Sequence, residues 1–135
     1  MSARGPRLLK FAFLINHSKY NDAFAMAFGL IDAKANFTDV DGGQAWGVCP
    51  YDGAIIFTND CYSLGEKVST FWNSQLKGRA NGAVVEMFVE PVRRALSFSV
   101  DGSERVEVGV SLPDLVRPYV RLGLEDDVVT LFEAQ

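Results

Sequence analysis

Apolar and polar residues alternate along most of the chain with a period close to two. Leu9, Phe11, Phe13 and Ile15 share one side of a segment whose other side carries Lys10, Ala12 and Leu14, as a strand with one buried face requires. Residues 24–31 put Phe24, Met26, Phe28 and Leu30 on one side and the small Ala25, Ala27 and Gly29 on the other, so both faces of that segment are expected to be covered. Residues 54–58 are a short run of β-branched and aromatic side chains behind the turn signal Tyr51-Asp52-Gly53, again the signature of a strand. Residues 83–90 read the same way and stop at Pro91, which has no N–H to give to a ladder.

The sharpest pattern lies in residues 95–110. Leu96, Phe98 and Val100 alternate with Ser97 and Ser99, Asp101-Gly102 intervenes, and Val106, Val108 and Val110 alternate with Glu107 and Gly109. Asp-Gly accepts the positive φ angles of a tight turn, so this segment is expected to be a hairpin. Residues 119–122 and 128–133 complete the set of strands. Only Leu112-Pro113-Asp114-Leu115 suggests a helical turn, since proline is tolerated at a helix start. The longest connection, residues 60–82, contains Gly65, Gly78 and Gly82 and reads as an extended surface loop. About nine short strands joined by Gly, Asn and Asp turns predict an all-β fold, an antiparallel β-sandwich of two sheets, rather than a layered α/β one.

The 135 residues fit one domain, 1–135, with residues 1–7 as a flexible lead. The composition, 48% hydrophobic and 22% charged, is globular. A formal charge of −4 and 13 scattered Lys and Arg residues argue against nucleic acid, because phosphate binding needs concentrated positive charge. No apolar run reaches the roughly 20 residues that span a bilayer. The basic start with Leu8 and Leu9 is interrupted by Lys10 and has no small-residue cleavage pattern, so a signal peptide is not expected. Cys49 and Cys61 are the only cysteines, which argues against a disulfide framework and points to an intracellular, cytoplasmic setting with buried thiols.

Catalytic chemistry is hard to assemble from these residues. The one histidine, His17, stands near Lys19 and Asn21 and reads as a solvated loop residue rather than a general base. Asp39 with Asp41, or Asp52 with Asp60, offers paired carboxylates, yet short acidic side chains in turns ordinarily bond their own backbone. Counting from Asp39, position twelve is Pro50 and not the Glu of a calcium loop. Gly42-Gly43 lacks the Gly-Lys-Ser/Thr of a phosphate loop. Neither an enzyme, a metal nor a cofactor is expected.

The order of these signals resembles a SPRY domain. Ala27-Phe28-Gly29-Leu30-Ile31 is similar to that family's "IGL" strand, and Ala45-Trp46-Gly47-Val48 with Asp52-Gly53 to its "SWGY…DG" segment. Residues 82–102, GAVVEMFVEPVRRALSFSVDG, resemble its most recognisable stretch, which ends in "LSFSVNG"; Arg117-Pro118-Tyr119-Val120 resembles "YPAV", and residues 127–132 its closing strand. The chain departs from the pattern at the opening element, which lacks the usual tyrosine and glutamate, at Asp101 in place of asparagine, and in having no separate "PRY" subdomain.

The resemblance implies a concanavalin-like, jelly-roll type of sandwich that works as an adaptor or scaffold by binding protein or peptide with loops at one end. Carried over by position, those loops are residues 16–21, 35–43 and 122–126. Tyr20, Phe37 and Leu124 are their candidate apolar anchors, with Asp39, Asp41 and Glu125 beside them; the alternative for Tyr20 and Phe37 is that they fold back as lids on the core. Trp72, in the long 60–82 connection, is a further candidate; Trp46 is assigned to the core. The acidic run Glu125-Asp126-Asp127 favours a partner bearing Lys or Arg. A lectin-like, carbohydrate- or small-ligand-binding sandwich is the alternative, with Trp72 and Asn73 as its platform.

Overall fold

The computed structural model describes residues 8–33, 45–51, 54–58, 66–70, 76–108, 112 and 115–134. Ten strands run through them: β1 (Leu9–His17), β2 (Ala27–Asp32), β3 (Ala45–Cys49), β4 (Ala54–Thr58), β5 (Glu66–Thr70), β6 (Val84–Glu90), β7 (Ala95–Val100), β8 (Val106–Val108), β9 (Val116–Arg121) and β10 (Val128–Ala134). They form two antiparallel five-stranded sheets, β10-β1-β6-β7-β8 and β5-β4-β3-β2-β9. No helix occurs among the described residues, so the helical turn expected at 112–115 is not found at Leu112 or Leu115; Pro113 and Asp114 lie outside the description.

Period-two patterning builds the core directly. Phe13 and Ile15 of β1, Val85, Met87 and Val89 of β6, and Leu96, Phe98 and Val100 of β7 project from the first sheet onto Phe28, Leu30, Trp46 and Val48 of the second. Phe13 meets Phe28 edge-on, with ring centroids 5.2 Å apart, the geometry that ring quadrupoles favour. Both faces of β2 are buried from Ala27 to Ile31, as its large and small sides predict. On its far face Gly29 stands opposite Gly47, and a Cβ on Gly29 would lie 1.9 Å from the Trp46 carbonyl oxygen.

Three elements differ from expectation, each for a local reason. The 60–82 connection contains strand β5. It pairs Ser69 with Ile55 and Lys67 with Ile56, leaving Val68 as an extra residue, and a bulge of this kind breaks the alternation that would have revealed the strand. Strand β9 begins at Val116, ahead of Pro118, because among the described residues β9 is an edge paired with β2 alone and an edge tolerates proline. Strand β2 begins at Ala27 rather than Phe24, because Ala23 and Ala25 both take positive φ angles of 62°, which no strand accommodates. The Asp-Gly hairpin is as expected: Asp101 and Gly102 have φ of 50° and 75°, and Ser103 N–H donates to the Val100 carbonyl at 2.9 Å.

Candidate functional site

Strand direction collects residues 18–26, 50–51, 76–83, 101–105 and 122–127 at one end of the sandwich, where β1, β3, β7 and β9 finish and β2, β4, β6 and β10 start. Side chains weld several of these turns into one body. Ser18 N–H donates to Asn81 Oδ1 at 2.7 Å, and Asn81 N–H donates to Asn21 Oδ1 at 2.7 Å. Asn21 Nδ2 also donates to the Gly78 carbonyl at 2.8 Å. The Asn21 backbone has φ of 54°, a conformation that Asn accepts better than most side chains. Buried Ser18 takes the Ala23 N–H on its Oγ at 3.0 Å.

Asp127 binds the last turn into the same frame. Its buried carboxylate accepts Lys19 N–H on Oδ1 at 3.0 Å and Leu124 N–H on Oδ2 at 3.2 Å. Asp127 is therefore committed internally and is not part of an acidic surface, a correction to its grouping with Glu125 and Asp126, which are exposed. Gly123 packs so closely on Ala25 that an added Cβ would fall 2.1 Å from the Ala25 Cβ. The turns 18–26 and 122–127 thus touch at two places, Lys19 with Asp127 and Ala25 with Gly123.

Aromatic and charged groups crown this frame. Tyr20 is 62% exposed, with Lys19 Nζ lying 5.6 Å from its ring centroid. Phe24 is 45% exposed and meets Tyr51 edge-on at 5.2 Å; alternation alone had set Phe24 among buried residues, and the positive φ angles on either side of it turn it outward. Leu124 is half-buried and Glu125 exposed. Tyr20, Leu124 and Glu125 are thus brought to one end. Phe37, Asp39, Asp41 and Trp72 lie outside the described residues; the strand ends that flank 33–44 stand at the opposite end of the sandwich, whereas β5 finishes at this one. Phe24 and Tyr51 were missed because neither sits in a loop marked by the motif, and Asp127 because its neighbours are also acids.

His17 is exposed at the end of β1 rather than in a loop, Cys49 is half-buried at the end of β3, and Cys61 lies outside the described residues. Trp46 is buried in the core, as expected. Among the described residues no three His, Cys, Asp or Glu side chains converge on one point, and no helix is long and apolar enough to cross a membrane. A cavity of about 280 Å³ opens at the far end, lined by Leu9, Val89, Pro91, Arg94, Leu112, Leu115 and Val116.

The SPRY domain of human HERC1 superposes on this architecture with a TM-score of 0.65, over 95% of this chain and 76% of that one, at 15% sequence identity. The chain has a SPRY-like fold. No protein-family model and no curated protein matches its sequence. Within the SPRY-like frame, the "LSFSVDG" stretch is β7 and its Asp-Gly turn, and "RPYV" is the middle of edge strand β9.

Proposed function

We propose that the chain is a non-catalytic protein-interaction domain, an intracellular module that docks a peptide or folded protein on the end formed by residues 18–26, 50–51 and 122–127. One observation carries this reading: exposed aromatic side chains, Tyr20 and Phe24, stand on turns tied to one another by half-buried and exposed hydrogen bonds. A surface already ordered loses little entropy on binding, and aromatic anchors on rigid supports are where interface energy concentrates. Exposed Glu125 and Asp126 beside them favour a partner carrying Lys or Arg. Phe37, Asp39, Asp41 and Trp72 lie outside the described residues, and the proposed surface is built without them.

Affinity capture with the wild-type chain beside Tyr20→Ala/Phe24→Ala and Leu124→Ala/Glu125→Lys variants tests the proposal. Loss of one anchoring aromatic costs about 2 kcal/mol, roughly thirtyfold in affinity, so the partner should disappear from both variant captures. Equal capture by wild type and variants contradicts it. Selective binding on a glycan array with no protein captured replaces it with the lectin-like role.

A further inference from the structure

Among the described residues each sheet has two edges, and three of the four carry charge or proline that resists pairing: β8 contains Glu107, β5 contains Glu66 and Lys67, and β9 contains Arg117, Pro118 and Arg121. Charge and proline are ordinary means by which edges are kept from adding a strand. The fourth edge, β10, has none of them from Val128 to Phe132 and runs for seven residues.

The exposure of β10 has a particular form. Leu131 lies opposite Phe13 and so on the core-facing side, whereas Phe132 lies opposite Ala12 on the outer side. Leu131 is nonetheless 46% exposed and Phe132 49%. The outer face of such a sheet is open to solvent in any case, so it is the exposure of the core-facing Leu131 that marks surface a neighbour alongside β10 would cover. Charge then narrows the kind of neighbour. Exposed Glu125 and Asp126 stand at the start of β10 and exposed Glu133 near its finish. The lysines bordering the two ends are engaged, Lys19 over Tyr20 and Lys10 with Glu86.

We propose that the free edge of β10 is a strand-addition site for an extended segment of another protein, apolar at alternate positions and basic at its ends. Backbone hydrogen bonds to β10 supply the pairing, and side chains beside Leu131 and Phe132 cover the open apolar surface. A second copy of this chain fits less well. An antiparallel pairing centred on Thr130 would set Val128 against Phe132, but it would bring Glu133 of one copy near the exposed Asp126 of the other, and like charges placed close together are destabilising. This site shares Glu125 and Asp126 with the end surface proposed above, but its test reads the amides of β10 and does not depend on that surface.

The test is amide hydrogen exchange on the isotopically labelled full chain, with and without a capped synthetic peptide, Lys-Val-Thr-Val-Thr-Val-Lys. At ten times Kd, those amides of residues 128–133 that exchange rapidly in the chain alone should slow by about tenfold. The variants Leu131→Lys and Phe132→Lys, checked for folding by circular dichroism, should abolish that protection, and the same peptide with Glu ends should bind more weakly. Unchanged exchange in β10 at millimolar peptide, protection confined to other strands, or equal binding of the Lys- and Glu-ended peptides overturns the proposal. Concentration-dependent dimerisation that Phe132→Lys removes also overturns it, in favour of a second copy.

Discussion

Asn21 and Asn81 form a relay between two turns that are far apart in the sequence: Asn81 N–H donates to Asn21 Oδ1, while Asn81 Oδ1 accepts Ser18 N–H, each at 2.7 Å. The second turn leads into β6 and the first leaves β1, strands already paired in the same sheet. The relay therefore fixes the outer end of a pairing whose inner part is held by the ladder. Tyr20 rides on the first of these turns.

Replacing Asn21 by Ala removes both side-chain bonds and places a less tolerant residue at φ of 54°. Each lost bond is worth about 1 kcal/mol, less where water can replace it, so Asn21→Ala should lower stability by about 1–3 kcal/mol in urea unfolding. Asn81→Ala should cost less, as it loses only the Ser18 bond. In a double-mutant cycle the two losses should not add, because the backbone and side chain of Asn81 serve the same relay.

Asp127→Ala removes the acceptor for two backbone amides, Lys19 and Leu124. Bonds to an ionised acceptor contribute about 1.5–3 kcal/mol each when protected, so the loss should exceed that of Asn21→Ala. Asp127→Asn retains one carbonyl oxygen and should fall between. Amide exchange locates the effect: Lys19 and Leu124 should become fast exchangers in Asp127→Ala, while core amides of β6 and β7 respond only to the global loss.

Gly29→Ala should prevent folding. Its Cβ would meet backbone atoms, the Trp46 carbonyl oxygen at 1.9 Å and the Gly47 Cα at 2.6 Å, and backbone in the middle of a paired ladder has nowhere to move. Gly78→Ala is the matched control: nothing lies within 4 Å of its would-be Cβ, but its φ is +78°, so only the left-handed penalty of about 1–2 kcal/mol applies. Expression and circular dichroism of the two variants separate a packing glycine from a turn glycine.

The strands most legible in the sequence were those with one buried face and no irregularity. Leu96, Phe98 and Val100 alternate with serines and then meet Asp101-Gly102, and the observed β7 and its turn follow that reading. Strand β5 was hidden by its bulge at Val68, and the start of β9 by Pro118, whose missing N–H matters only where a second neighbour exists. Local patterning records which face is buried. It does not record how many neighbours a strand has.

The candidate surface was legible in part. Tyr20, Leu124 and Glu125 belong to turns that converge at one end, and their polar surroundings marked them. Asp127 reads as one more surface acid, yet it is buried under two amide donors. Phe24 reads as one more strand residue, yet positive φ at Ala23 and Ala25 turns it out toward Tyr51. The first outcome depends on a contact across a long sequence separation and the second on backbone angles at two alanines, and periodicity encodes neither.

Site-specific photo-crosslinking tests the central claim most directly. Tyr20→benzoylphenylalanine places a crosslinker at the proposed docking end, and Val92→benzoylphenylalanine places one on an exposed turn at the opposite end. Irradiated in cell lysate, the first should yield a discrete, reproducible protein adduct that Phe24→Ala eliminates, and the second should not yield that adduct. The same adduct from both positions, or none from position 20, would contradict the assignment of that end as the protein-docking surface.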